Sequence, residues 1–218
     1  MTKNILVLGA SGHIAHFAIQ FLLNDSDVKL TLFSRHPDQF QDLNLNRVTV
    51  MKGDTLNPVD LDLAMQNIDI VYANLSNPHI QQQAENIVDA MNNHHIKTLI
   101  WISSIGIYDE VPGKFGEWNN QMLRQGGKDS YLGTYRAAAD VIENSNLDYT
   151  IIRPAWLTDK DEIDYELTER NEAFKGTEVS RKTIGYVVSK IAQNPTPYAH
   201  RSLGIDKPGT EGDKPNWY

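Results

Sequence analysis

The chain contains no cysteine, so disulfides, thiolate metal sites and cysteine nucleophiles are excluded. No apolar run approaches the length of about 20 residues that a membrane helix requires. A basic surplus is also missing. Asp and Glu outnumber Lys and Arg by 28 to 20, giving a formal net charge of −8, which argues against a nucleic-acid footprint. The N-terminus runs from Met1-Thr-Lys-Asn4 into a short apolar strand, without the basic n-region and long apolar h-region of a signal peptide. The expectation is a cytoplasmic protein without nucleic-acid or membrane partners. What is present is ordinary for a globular protein: 40% hydrophobic and 22% charged residues over 218 positions, enough for one domain and cramped for two.

Apolar runs alternate with amphipathic segments of helix length. Ile5–Leu8, Leu30–Phe33, Val48–Met51, Ile68–Ala73, Leu99–Ile102 and Tyr149–Ile152 read as strands, apolar on consecutive positions as parallel strands covered on both faces must be. Helices are expected at about 14–24, 58–66, 79–93 and 133–145, with Asn77-Pro78 opening the third. The fold class that follows is α/β: a Rossmann-type doubly wound parallel sheet in a three-layer α/β/α sandwich, one domain over 1–206. Residues 104–130, with Pro112-Gly113, Gly116 and Gly126-Gly127, read as an irregular functional or mobile loop and a candidate lid. Residues 207–218 read as a polar tail whose Trp217 and Tyr218 have the character to dock on a partner subunit; a homo-oligomer is left open.

The strongest chemical signal is Gly9-Ala-Ser11-Gly12-His13-Ile14-Ala15, which leaves the first strand and enters the first helix. The first glycine permits the tight turn, the second lets backbone approach a pyrophosphate, and Ala15 allows helix and strand to pack closely. The helix N-terminus offers free N–H groups and partial positive charge to phosphates, and Ser11 adds a hydroxyl. Binders of NAD place Asp or Glu at the end of the second strand, about 20 residues past the glycines, to hold the ribose 2′-hydroxyl. Here the residues are Ser34-Arg35-His36. A guanidinium fork beside a hydroxyl suits a 2′-phosphate, so NADP(H) is the preferred cofactor and NAD(H) stays possible.

These residues, together with Gly53-Asp54, Ile102-Ser-Ser-Ile-Gly106, Leu147-Asp-Tyr-Thr-Ile-Ile-Arg-Pro154 and Val179-Ser-Arg-Lys-Thr-Ile-Gly185, give a chain that resembles an atypical short-chain dehydrogenase/reductase. The resemblance is to the NAD(P)H-binding group that includes NmrA-like and flavin-reductase-like proteins, and it spans nearly the whole chain. It implies that Asp54 and Thr55 meet the adenine. It implies that Ala73, Asn74 and Leu75 line the middle of the cofactor, and that Pro154, Ala155 and Trp156 border the nicotinamide. Ser103 and Ser104 would face nicotinamide and substrate.

Relatives that oxidise alcohols use a Tyr-x-x-x-Lys pair, the lysine lowering the tyrosine pKa. Counted back from Leu147–Pro154, the lysine position falls on Arg136 and the tyrosine position on Leu132, so the pair is absent. Tyr131, one residue off, would point about 100° away on a helix. Hydride transfer survives that absence, because nicotinamide carries the step and needs only a positioned acceptor. Ser103, Ser104 and Tyr108 are the candidate catalytic residues. No metal site is expected: His94 and His95 are adjacent, face different ways on a helix and lack an obvious carboxylate partner. A Gly-x-Ser-x-Gly nucleophile elbow is absent. Two functions remain: an NADP(H)-dependent oxidoreductase acting on a small planar acceptor, or a non-catalytic NmrA-like sensor of the NAD(P) redox state.

Overall fold

Residues 2–40 and 45–218 are described in a computed structural model of the chain. Alternation along the first strand shows how the layers form. Ile5 and Val7 of β1 (Lys3–Leu8) enter one core, Leu6 and Leu8 enter another, and all four are fully buried. Helices α1 (His13–Asp25) and α6 (Arg181–Gln193) pack together over the Ile5 and Val7 face. Helices α2 (Pro58–Ala64), α3 (Ile80–Asn93) and α5 (Tyr131–Glu143) cover the Leu6 and Leu8 face. Two covered faces leave no solvated side for polar residues, which explains the unbroken apolar runs. Each fully buried Leu or Ile contributes about 1.5–3 kcal/mol to that arrangement.

The sheet runs β3 (Val48–Lys52), β2 (Val28–Ser34), β1, β4 (Ile70–Ala73), β5 (Thr98–Ile102), β6 (Asp148–Pro154), β10 (Arg201–Asp206), β8 (Glu166–Thr168). All neighbours are parallel except β10 and β8. A separate parallel pair joins β7 (Trp156–Thr158) to β9 (Glu178–Ser180). Strand order reverses between β1 and β4, and in doubly wound sheets the ligand crevice opens at that switch point.

Two expectations are corrected here. The stretch read as irregular holds a helix, α4 (Gly113–Leu123), whose Gly113 and Gly116 both fall in its first turn, where glycine costs little. The third helix starts at Ile80, after a cis Asn77–Pro78 bond and a left-handed His79, so Pro78 precedes the helix.

Beyond β5 the chain is fixed by a buried ion pair. Arg153 on β6 and Glu110 have side chains 0% and 3% exposed. The Glu110 carboxylate also accepts the backbone N–H groups of Gly106 and Tyr108, each at 2.9 Å. Arg153 donates in addition to the Ser202 hydroxyl at 3.1 Å and to the carbonyls of Glu169 and Ser202. Residues 106–110 are thereby tied to β6 and β10, which sets the path of the loop leaving β5.

A second buried acid sits at the end of β10. Asp206 is fully buried and accepts the Gly176 N–H at 2.8 Å, and burial pushes its carboxyl up to about 6 from an ordinary 3.8. The folded chain therefore holds a proton on Asp206 that the unfolded chain has released between those values. This group's contribution is expected to destabilise the fold progressively as pH rises from about 4 to about 6. Thermal melts of Asp206→Asn across that range should show a flatter pH dependence than the parent; an identical slope would contradict the assignment.

Candidate active site

The ends of β1 and β4 and the start of α1 meet at the switch point. Gly9 has φ +72°, and a Cβ there would lie 2.2 Å from the Asn74 carbonyl oxygen. At Gly12 a Cβ would lie 2.0 Å from the Asn74 side-chain nitrogen. The turn is closed by the Gly12 N–H donating to the Gly9 carbonyl at 3.0 Å. Gly12 caps α1 without a side-chain hydrogen bond, and no acid stands in the first turn. The N–H groups and positive end of α1 are thus free to receive an anion, as a pyrophosphate requires.

A cavity of about 200 Å³ extends from this turn over the ends of β2 and β3, lined by Gly9, Ser11, Gly12, Ser34, Arg35, Asp54 and Thr55. Ser34 is buried, and its hydroxyl accepts the His36 N–H at 3.1 Å, which shapes the bend that presents Arg35. Arg35 is exposed and makes no ion pair among the described residues. Asp54 is already engaged through one carboxylate oxygen, which accepts the Leu56 N–H at 3.0 Å. His36, Ser76 and Gln83 also line this cavity and were not singled out by sequence.

A second cavity of about 460 Å³ lies beyond β5 and β6. Asn74 and Leu75 line both cavities, so the two meet there. Ile14, Ser103, Ser104, Pro154, Ala155 and Trp156 all line the second. Two expected cofactor residues line neither: Ala73 is fully buried and His13 is exposed. The Ser103 hydroxyl is buried and has no hydrogen-bond partner, and Ser103 lines this cavity. The adjacent Ser104 hydroxyl donates weakly to the Ile105 carbonyl at 3.3 Å.

The structure changes the register of α5. Leu132 is 1% exposed in the core, and Arg136 pairs with Asp140 at 2.7 Å. Tyr131 and Tyr135 line the second cavity instead, their rings stacked at 4.4 Å. Tyr131 and Tyr135, four residues apart on α5, thus stand side by side at the cavity. Burial raises the Tyr131 pKa, while the hydroxyls of Tyr135 and Ser104 partly hold it down. With its pKa raised, Tyr131 stays protonated at neutral pH.

Tyr108 lies elsewhere. Its ring is overlaid by the guanidinium groups of Arg136, Arg153 and Arg170 at 5.1, 5.3 and 4.1 Å. Its hydroxyl donates to Glu143 at 2.9 Å, and burial pushes its pKa up to about 12. It is a packing residue of the loop behind the site. Among the described residues there is no group of three or more His, Asp or Glu that could hold a metal. His94 does have a carboxylate partner, pairing with Asp62 at 2.8 Å on the surface.

The sequence model of the NAD(P)H-binding family matches residues 9–195. A Rossmann-fold NAD(P)-binding family protein from Shigella flexneri is 41% identical over 99% of this chain and 98% of its own, with TM-score 0.83. A short-chain dehydrogenase/reductase from Veillonella parvula DSM 2008, solved in complex with NADP, is 32% identical over 99% of this chain and 100% of its own, with TM-score 0.88. ChuY, an anaerobillin reductase from Escherichia coli O157:H7, shares the fold at TM-score 0.77 and 16% identity, covering 96% of this chain and 100% of its own. No curated protein matches the chain. No helix among the described residues is long and apolar enough to cross a membrane. The chain belongs to the NAD(P)H-binding family, on a Rossmann fold, and a nicotinamide dinucleotide is its cofactor class.

Proposed function

We propose that this member of the family is an NADP(H)-dependent oxidoreductase that passes hydride between nicotinamide and a small, planar acceptor. The observation that carries the reading is the junction at Asn74 and Leu75. One side offers a phosphate turn and an unpaired Arg35; the other offers an orphaned Ser103 hydroxyl and a protonated Tyr131. The related Veillonella parvula protein in complex with NADP supports the cofactor choice.

The residues fit the group. Gly9, Ser11, Gly12 and the start of α1 would hold the pyrophosphate, Ser34 and Arg35 the 2′-phosphate, Asp54 and Thr55 the adenine. Ile14, Pro154, Ala155 and Trp156 would border the nicotinamide. When bound, that ring supplies or accepts the hydride. Ser103 would orient the acceptor through its free hydroxyl, and Tyr131, steadied by Ser104 and Tyr135, would deliver the proton that balances the hydride. A pure sensor has no use for a proton donor at that position, which favours the enzyme.

Arg35→Glu is expected to weaken NADPH binding by at least about tenfold, since a charge-assisted pair is lost and a repulsive carboxylate is gained, while NADH binding changes little. Fluorescence titration of both nucleotides tests this. Equal losses for both would mean that Arg35 serves the fold, and tighter NADH than NADPH binding by the parent would refute the cofactor preference.

A further inference from the structure

The segment expected to reach a neighbouring subunit folds back onto its own cavity. Thr210 is tied to Thr177, whose hydroxyl donates to the Thr210 carbonyl at 2.6 Å and whose N–H reaches the Thr210 hydroxyl at 3.2 Å. Pro215 is buried, and its carbonyl accepts the Tyr218 N–H at 3.1 Å. Beyond these anchors Trp217 and Tyr218 both line the second cavity, 47% and 51% exposed.

Their companions are held more firmly. The Trp156 indole N–H donates to the Asn119 side-chain oxygen at 2.9 Å, which fixes it between β7 and α4. Trp118 of α4 packs on Trp156 with ring centroids 4.7 Å apart. Tyr218 meets both indoles edge-on, at 5.0 Å from Trp118 and 5.4 Å from Trp156. Trp156 and Trp217 therefore line the cavity that also holds Ser103 and Tyr131, and Trp118 backs Trp156 and Tyr218.

We infer that Trp217 and Tyr218, together with Trp156 backed by Trp118, form an aromatic clamp that takes a flat, conjugated, electron-poor ring such as an oxidised quinone. This deepens the proposed function and rests on it. Two large half-exposed aromatics at the mouth of a cavity leave π-faces in water that a flat ligand would cover. Indole and phenol faces carry negative charge density, so they hold an electron-poor ring better than its electron-rich reduced form. The clamp thus favours the oxidised acceptor over the hydroquinone that leaves.

The test is calorimetric titration of 1,4-naphthoquinone into the NADP⁺-loaded protein, with the full chain, a chain ending at Asn216, Tyr218→Ala and Tyr218→Phe. The shortened chain and Tyr218→Ala are expected to bind the quinone about tenfold more weakly, with Tyr218→Phe close to the parent. NADP⁺ affinity should be unchanged throughout, which shows that the variants are folded. Equal or tighter quinone binding by the shortened chain would overturn the clamp, as would no binding by the full chain. Turnover of NADPH separates the two claims. Turnover that survives with an ineffective truncation leaves the oxidoreductase standing without its clamp. Quinone binding that depends on Tyr218 without any turnover leaves the clamp without the oxidoreductase.

Discussion

Replacing Glu110 with alanine is expected to remove about 3–5 kcal/mol of folding stability, the cost of leaving a buried charge without its partner. The magnitude follows from the surroundings. Arg153 is wholly buried, and without the carboxylate its guanidinium keeps only neutral acceptors on Ser202 and Glu169. The N–H groups of Gly106 and Tyr108 would lose their acceptor in the same step. Urea denaturation checks it: the midpoint should fall sharply, and Glu110→Ala with Arg153→Met should recover much of the loss, since an apolar pair carries no unpaired charge. A loss below about 1 kcal/mol would mean that the pair is solvated, as surface ion pairs are. Because residues 106–110 follow Ser103 and Ser104 directly, the weakened lock should also loosen the acceptor site.

The second large effect concerns chemistry. Tyr131→Phe is expected to lower kcat for NADPH-dependent reduction by about a hundredfold, the lower range for loss of a general acid, with NADPH affinity unchanged. The ring and its stacking on Tyr135 survive the change, so only the hydroxyl is removed. The raised pKa of Tyr131 sets a companion expectation: activity should not decline between pH 7 and 9 through loss of its proton. A Tyr131→Phe enzyme with unaltered kcat would move the proton donor elsewhere, and Ser104 would be the next residue to replace.

How much of this was legible beforehand depended on how local the determinant was. The glycine turn, Ser34-Arg35 and the parallel strands were readable because strand, turn and helix start are consecutive, and two-sided burial leaves its mark on every residue of a strand. Helix α4 was missed because Pro112, Gly113 and Gly116 look like breakers, whereas Pro112 is its N-cap, where a missing N–H costs no intrahelical bond, and both glycines fall in its first turn. Tyr108 looked like a catalytic candidate because it follows the β5 serines in sequence. Three arginines from α5, β6 and the segment after β8 determine its true place, and nothing in the local sequence reports them. Tyr131 was placed one residue off by a count across a turn, and Trp217 and Tyr218 were read as part of a polar tail able to dock on a partner subunit. All three line the cavity beyond β5 and β6, which long-range packing assembles, while the phosphate turn is written in a short motif.

The central claim is hydride transfer from NADPH to a flat acceptor in the cavity beyond Ser103. The most direct measurement follows NADPH deuterated at the transferring C4 position during incubation with flavins, quinones and aldehydes. Expected are NADPH consumption above background with a flat acceptor, deuterium lost from the nicotinamide, and a slower rate than with unlabelled NADPH. NADPH that binds and yet is oxidised by none of these classes would contradict it.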